Sequence, residues 1–442
     1  MHRRCVRDEG LSDPMMPHEQ NKSCSSRKSD EAGRTSRAGV DRARWLVVGF
    51  TIFAVTAGVV ACADDASDPP LRDDVDAGAD GGSDAAPDDA NGDATSSIDA
   101  GPCSDAGLCI TPVPIDDTIG LTSMWGSSAN DIWAVGTRGT VLHYDGATWA
   151  RGATVVPEGA APYTLRSVWA GRSDDVWMVD GLNLWHGTGW AGPDATSWSL
   201  HAFAEYEPSP MAVRGFGEHA WLARRPILGS FGERLVKIEG WADTGPGPTE
   251  GIGEILPFPE IVLDMVMPTA ADEAWAVGSQ FVLDVSDPSA VTSLFISRVF
   301  RATKPTSDGG DPPAWELEEH DPLTTNQIFA LWADTGAVWL AGEHGTIRRS
   351  KRSAIATRAF EILRVPVDAD LHGVFGFGPD DVWFVGDAST VLHWDGTTLT
   401  KLATPFDSAS KKPRLFAVWG SAPNDVWIAG DGTILHYQET SP

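Results

Sequence analysis

One tryptophan returns along this chain at a nearly fixed interval: Trp133, Trp177, Trp221, Trp275, Trp339, Trp383 and Trp427, with successive gaps of 44, 44, 54, 64, 44 and 44 residues. Each lies in a copy of one unit, plainest as LTSMWGSSANDIWAVGTRGTVLHYDGATW from Leu121 to Trp149. The unit returns from Leu165, Gly373 and Leu415, and more weakly from Val213, Met265 and Ile328. Seven such copies cannot share one large core, so each must bury its apolar faces on its neighbours.

Within a copy the texture is that of short strands. Runs such as Asp131-Ile132-Trp133-Ala134-Val135 and Thr140-Val141-Leu142-His143-Tyr144 are broken by Asn-Asp, Gly-x-x-Gly and Asp-Gly turns, the signature of successive hairpins. Four runs fit in each period, which predicts one four-stranded sheet per copy. The last copy stops after Leu435-His436-Tyr437 with five residues left, too few for a fourth strand. Ahead of the first copy, Ile110-Thr111-Pro112-Val113-Pro114-Ile115-Asp116 matches Ile362-Leu363-Arg364-Val365-Pro366-Val367-Asp368, which follows the fifth copy. Residues 110–116 therefore read as the strand that completes the seventh sheet and leaves no open edge. The expected fold is all-β: a seven-bladed β-propeller of four-stranded blades over residues 110–442, closed by an N-terminal strand and preceded by a disordered N-terminal region.

That preceding region divides into three. Residues 1–44 form a polar, basic extension, with a mis-assigned start as one account of its length. Trp45 to Ala61 is an uncharged apolar run behind Arg42 and Arg44 and ends in small residues before Cys62, the basic, apolar, small-residue order of an export signal. Val59-Val60-Ala61-Cys62 resembles the lipobox of bacterial lipoproteins, which implies a lipid on Cys62, cleavage before it and a membrane anchor. By the same resemblance the residue after it, Ala63, favours the outer membrane. An uncleaved signal anchor is the competing reading, and both place the bulk of the chain outside the cytoplasm. Residues 62–109 then hold thirteen Asp among Ala, Gly, Ser and Pro, too little apolar surface to order itself. They read as an acidic tether whose roughly 40 flexible residues reach about 35–40 Å. Cys103 and Cys109, six apart at its end, read as one disulfide in an oxidising compartment, with zinc as a minor alternative.

The repeats resemble the WGSSPNDVWAVG and GTILHYDG propellers of bacterial lipoproteins and, more distantly, the BNR and photosystem-assembly-factor propellers. The resemblance spans nearly all of residues 110–442 and implies a binding or assembly scaffold. It weakens in copies three and four, which lack the Leu-His-Tyr-Asp-Gly string.

Chemistry is sought where the copies differ. His143, His393 and His436 repeat beside an aromatic residue and read as structural. Asp131, Asp175, Asp381 and Asp425, each two before a marker tryptophan, read as Asx-turn residues. The segments joining second to third strands carry Arg138, Asp180, Arg224, Arg225, Glu343, His344, Asp387 and Asp431. These vary while the strands repeat, and they form the candidate binding rim. Residues 281–326, with Lys304, Asp308, Asp311 and Pro312-Pro313, are expected to overhang that face. A formal charge of −29 disfavours nucleic acid. No spacing for a metal, cofactor or catalytic triad appears, so the expectation is a non-catalytic scaffold for a protein or glycan. The alternative is a sialidase-like glycoside hydrolase resting on Tyr163 or Tyr206 and an arginine such as Arg224.

Overall fold

The computed structural model describes residues 101–438, apart from 194, 197, 205–206, 227–231, 243–244, 253–260, 285–291, 307–313 and 358–359. The export segment, Cys62 and the acidic stretch to residue 100 lie outside the described residues. So do Tyr206, Asp308, Asp311, Pro312 and Pro313.

Seven four-stranded antiparallel sheets follow one another, and in six of them the strands lie side by side in chain order. Blade 1 runs through Leu121–Ser128, Asp131–Gly136, Val141–Tyr144 and Trp149–Arg151. The first strands of blades 2 to 7 are Ser167–Arg172, Ser209–Phe216, Ile261–Ala270, Ile328–Ala333, Leu371–Gly378 and Leu415–Ala422. The protein is a seven-bladed β-propeller. The seventh sheet takes its fourth strand from the other end of the chain, because Leu108–Thr111 pairs antiparallel with Thr433–Gln438, Cys109 opposite His436. This strand begins two residues before the segment read from sequence and is shorter. Beyond it, Val113 and Ile115 pack against the core between blades 7 and 1.

The hydrophobic core comes in seven parts, one for each contact between adjacent blades. Each marker tryptophan fills the contact between its own blade and the next, and all seven are at most 2 % exposed. Trp133, for example, packs with Val168 and Val176 of blade 2, and Trp427 packs with Leu121 and Met124 of blade 1. Burying roughly 150–250 Å² per indole at about 25 cal/mol per Å² contributes on the order of 5 kcal/mol each before entropy is counted.

The glycine near the end of the first strand, Gly126 or Gly215, has a packing cause. An ideal Cβ on Gly215 would lie 2.1 Å from Cζ2 of Trp169 in the preceding blade, and one on Gly126 would lie 2.5 Å from Cη2 of Trp419. The glycine is the seat on which the neighbouring indole rests. Gly215→Ala should therefore lower stability by about 1–3 kcal/mol through overpacking. Urea denaturation checks this, and an unchanged midpoint would show that the Trp169 indole can move aside.

Two local additions position the rest. Cys103 and Cys109 are joined by a disulfide, and Gly101 N–H donates to the Ile110 carbonyl while Ile110 N–H donates to that of Pro102. Residues 101–103 thus fold back along the closing strand. In blade 4 the second and third strands lengthen to Glu273–Asp284 and Thr292–Thr303. The insertion is split: the lengthened strand ends extend on the face of the second-to-third loops, whereas Lys304 and Trp315, at the junction of third and fourth strands, lie on the opposite face. Only the first half can overhang the face predicted from sequence.

Candidate functional site

The repeated aspartates and histidines belong to the scaffold. Nε2 of His143, His186, His393 and His436 lies 2.6–2.9 Å from Oδ1 of Asp131, Asp175, Asp381 and Asp425 respectively. In three of these blades the same oxygen accepts the marker indole N–H, from Trp133, Trp177 and Trp427. Each aspartate therefore ties the second strand to the third rather than forming the Asx turn expected from sequence. Asx turns occur instead at Asp145, Asp334 and Asp395, whose carboxylates accept backbone N–H groups two and three residues on. His186, between Trp185 and Gly187, holds the same place in blade 2 as His143, His393 and His436 hold in theirs. In blade 4 the same positions hold Glu273 and Arg301, 3.1 Å apart, and Arg352 of blade 5 joins them.

Burial raises the Asp425 carboxyl, but hydrogen bonds from His436, Ser421 and Trp427 outweigh it and hold the group below the usual carboxylate range. A proton then enters the unfolded chain first, so this stabilisation is intact above about pH 3.9. It drains away as pH falls through the lower folded value. Between pH 5 and pH 2.5 the urea midpoint of Asp425→Asn should fall less steeply than that of the wild type. Parallel slopes would show that the hydrogen bonds do not favour the charged form.

The functional candidates lie nearer the axis. In six of the seven first strands the pairing register shifts by one residue at the same place. The residues skipped are Thr122, Met211, Asp264, Phe329, His372 and Phe416, and Arg166 holds the corresponding position in blade 2. Such a bulge re-aims one side chain, and all seven residues line a central cavity of about 720 Å³. One ring of positions thus carries a hydroxyl, an arginine, a methionine, a carboxylate, two phenylalanines and a histidine. His372 lies between Phe329 and Phe416, at 5.4 and 5.3 Å between ring centres.

The residues singled out in sequence are not equivalent. Arg225 lines the cavity and donates to Asp264 at 2.5 Å. Asp387 accepts from His372 at 2.8 Å, and Asp431 accepts from Arg414 at 2.9 Å. Arg138 and His344 occupy left-handed turn positions, at φ 57° and 51°, with their side chains exposed. Glu343 accepts the Gln327 N–H and so braces its own turn. Asp180 and Arg224 are buried. The first accepts from Leu182, Asn183 and Trp185, and the second donates to the Pro208 carbonyl and stacks on Phe203. They hold loops rather than offering contacts.

Among the described residues no group of three His, Cys, Asp or Glu is placed to hold a metal ion. Tyr144 and Tyr437 pack against the marker tryptophans Trp427 and Trp383. Tyr163 is exposed, with its carbonyl accepting the Gly139 N–H.

The chain is thus a closed ring of seven blades with chemically varied positions around its axis. Two solved structures share the fold. "YCF48 bound to D1 peptide" is 18 % identical, with a TM-score of 0.53 over 77 % of this chain and 100 % of that one. YCF48 from Cyanidioschyzon merolae is 18 % identical, with a TM-score of 0.52 over 75 % and 99 %. No family model and no curated protein sequence matches the chain.

Proposed function

We propose that this chain is a non-catalytic binding propeller of a bacterial cell envelope, lipid-anchored at Cys62, that engages a protein partner through the face carrying the second-to-third strand loops. The observation that carries the reading is the shared bulge: one backbone device is repeated in blade after blade, yet the residues it aims at the axis have different chemistry. A scaffold that fixes position while varying side chain is how loops and rims acquire specificity. A similar propeller solved with a bound peptide supports a protein partner. Arg138, His344 and Arg225 are the rim residues best placed to touch it.

The test compares crosslinked partners from envelope fractions for the wild type, for Arg138→Glu/His344→Glu, and for a control altered at Lys401 on a fourth strand. Loss of a defined partner in the rim variant alone is expected. An unchanged partner set would sink the reading, and capture by a glycan panel in its place would redirect it to carbohydrate. Anchoring is tested separately: the wild type should incorporate labelled fatty acid and Cys62→Ala should not. Equal incorporation would remove the lipid anchor.

A further inference from the structure

At the position paired with the marker tryptophan, the seven first strands carry Trp125, Trp169, Arg214, Met267, Trp332, Phe375 and Trp419. Six are apolar and one is an arginine. Arg214 lines the central cavity and stacks on Trp125, with its guanidinium carbon 4.9 Å from the ring centre. Its Nη1 donates to Ser167 Oγ, the Val168 carbonyl and the Val213 carbonyl at 2.8–2.9 Å. Among the described residues Nε and Nη2 have no acceptor, and no carboxylate pairs with the group. That remaining edge is the one that grips a carboxylate with two parallel hydrogen bonds.

Arg214 is half-buried and has no counter-ion among the described residues; partial desolvation of an unpaired cation is costly, and it pushes the guanidinium down to about 10. An entering anion would relieve that cost. The surroundings select which anion. Met211, Met265, Phe329, Leu331, Val374 and Phe416 supply apolar wall, and Trp125 meets Phe375 edge to face at 6.1 Å, narrowing the channel at the level of Arg214. Nearer the mouth, Arg166 also lacks an acidic partner among the described residues, while Arg225 and Asp264 neutralise each other. In a chain of net charge −29 this cavity carries excess positive charge. Its volume of about 720 Å³ falls in the range of small-molecule sites, roughly 300–1,000 Å³.

We propose that the central channel is a binding site for an amphiphilic monocarboxylate, its carboxylate on the Nε–Nη2 edge of Arg214 and its apolar body against the methionine and phenylalanine wall. The occupant is a small acyl-type acid rather than a bare anion, because the cavity that holds Arg214 also offers a wall of methionine, phenylalanine, leucine and valine side chains.

Decanoate, decanol and acetate are the probes, used below micelle-forming concentration with the wild-type protein in calorimetric titration. Decanoate is expected to bind at least about tenfold more tightly than decanol, about 1.4 kcal/mol, and acetate should not compete. Arg214→Gln should lose that advantage while binding decanol as the wild type does. Equal affinity of the wild type for decanoate and decanol would overturn the role of Arg214, with no variant needed. Competition by acetate at equal concentration would overturn the apolar half. Should Arg214→Gln fail to fold, Arg166→Gln serves instead: its exposed mouth position predicts a several-fold slower association with decanoate only, and an unchanged rate would count against the basic funnel.

Discussion

Trp339→Ala is expected to lower the stability of the protein by about 3–5 kcal/mol, the range for removing a large aromatic from a packed interior. Trp339 is 0 % exposed and fills the contact between blades 5 and 6 with Leu371, Val382 and Phe384. Its indole N–H has no hydrogen-bond partner, so the loss is packing together with the cation–π contact of Arg349, whose guanidinium carbon lies 5.2 Å from the ring centre. Trp177→Ala should cost more, because that indole donates to Asp175 at 2.7 Å and its removal leaves a buried carboxylate with one fewer donor, worth about 1–3 kcal/mol. The difference between the two variants, read from urea unfolding, sets the hydrogen bond of Trp177 against the cation–π contact of Trp339 at equivalent packed positions. A cost below about 1 kcal/mol for Trp339→Ala would mean that the contacts between blades do not hold the ring together.

The marker tryptophans were legible because seven copies of one unit repeat the same burial problem, and residue type alone then identifies the solution. Fold and closure followed from that counting. The bulges were not legible. Leu121-Thr122-Ser123 reads as uninterrupted strand, and nothing in those residue types says that Thr122 leaves the pairing register. Variation at that place among Thr122, Arg166, Met211, Asp264, Phe329, His372 and Phe416 was the available signal, but it sits inside a strand, where variation is ordinarily read as tolerance. Arg214 was hidden in the same way within the weak third copy, Val213-Arg214-Gly215. Its meaning appears only when the register aligns it with Trp125 and Trp419. For the rim, sequence identified which loops share a face but not which side chains are spent inside it. Asp180 and Arg224 look like Arg138 and Asp387 until their partners are seen.

Deleting residues 101–112 is expected to be as damaging as losing a marker tryptophan, because it reopens the ring. Leu108 is 0 % exposed and sits with Trp383, Leu415 and Leu435 in the core between blades 6 and 7. Four residue pairs along Thr433–Gln438 lose their partners at the same time. Losing a buried leucine and these backbone hydrogen bonds amounts to on the order of 5 kcal/mol. Cys103→Ser/Cys109→Ser keeps the strand and removes only a short covalent loop, for roughly 2 kcal/mol. The deletion differs in kind as well as size, since it exposes a strand edge that can pair with another copy. Size-exclusion chromatography with light scattering should show dimers or larger species for the deletion and not for the serine variant. A synthetic peptide of residues 101–116, supplied in excess, should restore both the melting temperature and the monomer by adding back the missing strand. A deletion that melts with the wild type, or a peptide without effect, would show that the ring holds through its seven lateral contacts alone and that the closing strand is dispensable.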